Sequence, residues 1–171
     1  MILFTGLILL VAIERLVELV VSRRNAAWSF SHGGHEYGGG HYPAMVALHS
    51  ALLIGALAEV GWGHRPFLPW LGWPMLALVV ASQILRWWCI GTLGRRWNTR
   101  IIVIPGMPLV RAGPYAWLTH PNYVAVVVEG AALPLVHSAW LTAAAFTALN
   151  LVLLRTRVRA EDEALTTAQS T

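Results

Sequence analysis

Apolar residues in this chain gather into long stretches with few polar interruptions, and little of the sequence alternates. Five stretches approach the roughly 20 apolar residues that a helix needs to cross a bilayer core. They cover residues 2–22, 42–60, 70–89, 122–136 and 140–154. The last two are short, and "LPLVHSA" between them at 133–139 predicts a tight helical hairpin. Three segments break the pattern. Residues 25–41 mix glycine, aromatic and polar residues and read as an irregular loop. Residues 96–115 hold two short β-like runs around Pro105-Gly106-Met107-Pro108. Residues 155–171 read as a charged helix that frays into a polar tail. The expected fold is an all-α integral membrane protein of about five transmembrane helices.

Composition strengthens that reading. Hydrophobic residues make up 57% of the 171 positions and charged residues 12%, about half of what a soluble domain carries. The N-terminal stretch lacks the positive region and small-residue cleavage site of a signal peptide, so it reads as a retained first span. All twelve basic residues are arginine and sit mainly in connecting segments rather than in a basic stripe, which argues against a nucleic-acid partner. Arg23 and Arg24, Arg95 to Arg111, and Arg155 to Arg159 fall on one side if there are five spans, against Arg65 on the other. The positive-inside rule then predicts an inner-membrane protein with its N-terminus outside and its C-terminus in the cytoplasm. Cys89 is alone, so no disulfide framework exists within the chain. His32, His35 and His41 have flexible glycine neighbours, and no metal site is expected.

Charges inside spans are costly and point inward or to water. Glu14 and Glu18 share a helical face, and Arg15 reaches Glu18 at i+3. Arg86, late in the third span, is expected to snorkel to the interface. Glu129 lies two turns past Asn122 on the same face and requires a partner or a neutral state. Pro121 suits the first position of the fourth helix, with His120 at its cap. Arg157 and Glu161 share a face at i,i+4; spacing alone makes them part of a solvated interfacial helix.

Together, "TLGRRW", "LVRAGPYAWLTHPNY" and "RVRAED" resemble the isoprenylcysteine carboxyl methyltransferase family in both order and spacing. The family pattern has arginine before its histidine-proline pair, where this chain has Thr119, so that contact is either absent or supplied elsewhere, by Arg111 or Arg100. "ERLVELVVSRRNAAW" and "GGHEYGGGHYPAMVALH" resemble a bacterial branch associated with type III polyketide synthases, whose members methylate alkylpyrones or phenolic lipids.

The resemblance implies one methyltransferase domain over 1–171, using S-adenosyl-L-methionine and a lipid-like acceptor. Residues 1–85 would form the substrate side and 86–165 the cofactor core, with a cytoplasm-facing pocket; 166–171 would be tail. Tyr115, His120, Pro121, Asn122, Tyr123 and Glu161 are implied to bind the cofactor, and Arg157 with Glu161 to act in catalysis. His35, Glu36, Tyr37, His41 and Glu18 are implied to face the acceptor. Prenylcysteine-like carboxylates are an alternative acceptor. NADPH-dependent membrane reductases, which share the C-terminal architecture, and a non-catalytic membrane adaptor are the rival classes.

Overall fold

The computed structural model describes residues 1–169; Ser170 and Thr171, the end of the expected tail and cytoplasmic terminus, lie outside the described residues. Five helices dominate: α1 (Ile2–Ser31), α2 (Tyr42–Trp62), α3 (Pro69–Leu93), α4 (Pro121–Leu135) and α5 (Trp140–Gln169). Proline occupies the first turn of α2, α3 and α4, where its missing N–H costs nothing. Two short strands, β1 (His35–Tyr37) and β2 (Ile101–Val103), pair antiparallel with Glu36 opposite Ile102.

Three expectations change. First, α1 continues to Ser31 instead of yielding to a loop near Asn25. Asn25 is buried and donates to the carbonyls of Gly94 (3.1 Å) and Trp97 (2.7 Å), which ties the last turns of α1 to the connector after α3. Second, only the first β-like run of that connector becomes a strand; the second, near Leu109, has no partner strand. Third, span five and the charged segment form one continuous helix through Gln169. The expected hairpin between α4 and α5 is present, with Ser138 at φ 57.

Among the described residues, three helices are long and apolar enough to cross a membrane: the segments Gly39–Trp62, Pro69–Arg96 and Trp140–Thr167. In α1 the charges of Glu14, Arg15 and Glu18 interrupt the apolar run, and α4 has 15 residues. Many large apolar side chains point outward, among them Leu3, Ile54, Ile84 and Val152. Exposed tryptophans form two groups: Trp62, Trp70, Trp73 and Trp140 at one end, and Trp87, Trp88 and Trp117 at the other. Trp70 and Trp88 stand about 27 Å apart along α3, close to the thickness of a bilayer core. Aromatic belts at both interfaces have this arrangement.

α3 packs most extensively on α4, and α5 packs on both α4 and α2. Gly130 permits the α4–α5 approach: a Cβ there would lie 1.9 Å from the Phe146 ring. The main apolar core, around Phe4, Ile8, Val60, Val79 and Leu133, gathers at the end opposite the arginine-rich connectors. Polar bonds hold the connector end.

Candidate active site

The connector end is organised around Thr99 and Arg157. The Thr99 N–H donates to Ser22 Oγ of α1 (2.9 Å), and its hydroxyl lies 3.3 Å from the Tyr42 hydroxyl of α2. Its carbonyl accepts from Arg157 Nη2 of α5 at 2.6 Å. Arg157 is buried, yet its guanidinium is shared among three partners: Thr99, the Tyr123 hydroxyl through Nε (2.8 Å), and Met45 Sδ through Nη1 (3.0 Å).

Arg157 and Glu161 come together through a third residue. The Tyr123 hydroxyl donates to Glu161 while accepting from Arg157, so one phenol joins both charges of α5 to the first turn of α4. His120 stacks on the Tyr123 ring with 5.3 Å between centroids. Its Nε2 lies 3.1 Å from Asp162, and its Nδ1 lies 3.9 Å from Glu161. Pro121 is fully buried at the helix start. Burial, and then the neighbouring Cys89, push the Tyr115 phenol well above the ordinary tyrosine range. Tyr115 therefore stays protonated at neutral pH.

Two cavities meet here. A polar one of about 600 Å³ lies among the connector, the start of α4 and the charged end of α5. Its lining includes Tyr115, Trp117, Thr119, His120 and Glu161. A second, of about 340 Å³, runs among α1, α2 and α5 and is mostly apolar, with Leu16, Leu19, Val46, Leu53 and Leu153 on its walls. Trp97, Asn98, Asn122, Tyr123 and Arg157 line both. That common wall holds three buried polar atoms with no hydrogen-bond partner: Trp97 Nε1, Asn98 Oδ1 and Asn122 Oδ1. Buried polar groups are normally paired, so these three atoms are open to a bound group.

Not every residue expected at the acceptor joins the site. His41 and Glu18 line the apolar cavity. His35, Glu36 and Tyr37 line neither cavity; strand pairing holds them over β2, where Glu36 pairs with Arg100 at 3.3 Å. Arg100 and Arg111 both border the polar cavity beside Thr119, and Arg111 has no ion-pair partner among the described residues. Among the described residues, no group of three or more metal-ligating side chains is assembled.

Arg86 does not snorkel. It is buried and donates to Glu129 at 2.5 Å, with its Nε 3.4 Å from Glu18. Arg15 joins both carboxylates, at 2.6 Å to Glu18 and in direct contact with Glu129. This charge-balanced group from α1, α3 and α4 forms the floor of the apolar cavity. A carboxylate on the next helix, 43 positions on, captured Arg86, which its own span could not reveal. Sequence reasoning also missed Trp97, Asn98 and Thr99, because only the bend after α3 turns them inward.

Three comparisons agree with this architecture. The Isoprenylcysteine carboxyl methyltransferase (ICMT) family matches residues 75–167, which contain the connector, α4 and the charged part of α5. The protein YpbQ of Bacillus subtilis (strain 168) is 39% identical over 163 residues, covering 95% of this chain and 96% of that protein. The solved structure of the eukaryotic intramembrane Ras methyltransferase ICMT superposes with a TM-score of 0.58 at 22% identity. That likeness of fold covers 73% of this chain and 46% of the larger protein. With a family match over more than half its length and a relative aligned almost end to end, this chain belongs to the isoprenylcysteine carboxyl methyltransferase family.

Proposed function

We propose that this membrane protein is an S-adenosylmethionine-dependent O-methyltransferase whose acceptor is an acidic oxygen of an amphiphilic lipid, a long-chain alkylpyrone or a related polyketide. Family membership makes it a membrane methyltransferase, and the family uses S-adenosylmethionine. The observation that carries the finer reading is the meeting of a polar and an apolar cavity at one wall containing Arg157 and Asn122.

The residues present fit the cofactor. The polar cavity has the size of a cofactor site. Glu161 suits an ammonium group, and the first turn of α4 after His120 suits a carboxylate. Tyr115 and Trp117 offer flat apolar surface for a purine. The unpartnered Asn122 Oδ1 supplies a further acceptor at the boundary. When bound, S-adenosylmethionine supplies a methyl group on a sulfonium sulfur.

This chain's own task is placement. Methyl transfer is an in-line displacement, and holding the two reactants together accounts for much of the acceleration. Arg157 stands at the common wall, where its cation orients the anionic acceptor oxygen. Tyr123 and Glu161 fix the guanidinium. The apolar cavity takes the lipid tail from the bilayer between α1 and α2 and keeps water from the reacting oxygen. Tyr115, held protonated, is no proton acceptor at neutral pH. An acceptor that is already an anion suits such a site better than a simple phenol with a pKa of about 10. A prenylcysteine carboxylate meets the same requirement and is the second reading. We further place the N-terminus outside and the C-terminus and polar cavity on the cytoplasmic side.

Ligand-dependent thermal stability of the detergent-solubilised protein tests the cofactor. S-adenosylhomocysteine is expected to raise the unfolding midpoint and NADPH to leave it unmoved. The reverse result would assign the site to a reductase.

A further inference from the structure

The apolar cavity has a second polar level that the proposed methyl transfer does not use. Asn150 is only 4% exposed, lines this cavity, and its side chain makes no hydrogen bond among the described residues. An amide left unpaired in an apolar chamber is costly, and its retention there points to a ligand group that pairs with it. His49 on α2 lines the same cavity. Its Nδ1 lies 2.9 Å from the Met45 carbonyl, which can only accept, so Nδ1 carries the proton and Nε2 keeps a free lone pair.

The two residues sit at one depth. α2 and α5 run antiparallel: Gly55 packs against Thr142, and Met45 contacts Arg157. His49 packs edge-on against Phe146, one turn from Asn150. His49 lies one turn, about 6 Å, beyond Met45 along α2. The His49–Asn150 level is thus about one ring width deeper than the Arg157 guanidinium. Below it, Arg15 and Arg86 are paired with Glu18 and Glu129. That floor is charge-balanced, so the level above it favours a neutral polar group over a second anion.

We propose that His49 and Asn150 form a specificity subsite for a second oxygen on the acceptor's ring, one ring width from the methylated oxygen. The Asn150 amide donates to that oxygen, and His49 Nε2 accepts its proton when it is a hydroxyl. This inference rests on the lipid O-methyltransferase reading above, and narrows the acceptor to rings bearing two oxygens.

A matched pair of ring ligands, each assayed as a competitor of alkylpyrone methylation, tests it: a 5-alkylresorcinol and the 3-alkylphenol of equal chain length, which differ in one hydroxyl. In the wild-type protein the inhibition constant is expected to favour the resorcinol by about tenfold or more, as for a buried hydrogen-bonding site left unfilled by the analogue. In Asn150→Leu that ratio is expected to fall toward one. Binding of S-adenosylhomocysteine reports whether the variant is folded, and Asn150→Ala, which only removes atoms, repeats the measurement if leucine misfolds. A wild-type ratio near one, or a ratio that survives both substitutions, overturns the subsite and leaves the methyltransferase reading standing. Methylation of a prenylcysteine carboxylate with no alkylpyrone methylated overturns the acceptor reading itself, and the subsite with it.

Discussion

Tyr123 is the residue on which the proposed site turns. Its hydroxyl bonds Arg157 on one side and Glu161 on the other, and its ring lies 5.5 Å beneath the Arg157 cation. Tyr123→Phe keeps the ring and removes the bridge, so we expect methyl transfer to fall by about one to two orders of magnitude, as when one charge-assisted hydrogen bond is lost. Arg157→Ala and Glu161→Gln are expected to nearly abolish transfer while leaving expression unchanged, measured as methyl incorporation per mole of folded protein. Near-normal activity in the last two would remove the core of the residue assignment. Arg157 and Glu161 could be paired from their i,i+4 spacing, but spacing alone made them a solvated face. What buries Arg157 is Thr99 and Met45, 58 and 112 positions away. No local pattern carries that information.

At the level of elements, the Arg15–Glu18–Arg86–Glu129 group binds α1, α3 and α4 where a bilayer supplies no polar partner. Removing one member of such a buried set leaves its partners uncompensated, at a cost of about 3–5 kcal/mol. Glu129→Leu, which strands Arg15 and Arg86, is therefore expected to lower the thermal unfolding midpoint in detergent markedly. Adding Arg86→Met should recover part of the loss, since an apolar pair then replaces half of the cluster. If Glu129→Leu unfolds at the wild-type midpoint, the group does not hold the helices together. The helices were legible because long apolar runs require them, and proline at 121 marked the start of α4. The end of α1 was not legible: Asn25 reads as a loop residue until Gly94 and Trp97 appear as its partners. The β1–β2 ribbon was half visible for a similar reason, since each short strand exists only through the other.

For the whole molecule, the two tryptophan belts set the bilayer position, and the arginine-rich end holds both the connector and the polar cavity. A reporter fused to the C-terminus is expected to behave as cytoplasmic, and an extracytoplasmic signal would invert the proposed topology. Composition pointed to the membrane, and the combined motifs to the family. The meeting of two cavities was beyond the sequence, because it depends on how α1, α2 and α5 pack around the connector. The central claim is lipid O-methylation, and the most direct measurement is transfer of labelled methyl from S-adenosylmethionine by membranes containing this protein. Long-chain alkylpyrones, alkylresorcinols and prenylcysteine analogues would be compared side by side. Label is expected on the oxygen of a long-chain ring acceptor, fastest for the alkylpyrone, with little on prenylcysteine; label confined to the prenylcysteine carboxylate, or none on any acceptor, would rule out lipid O-methylation.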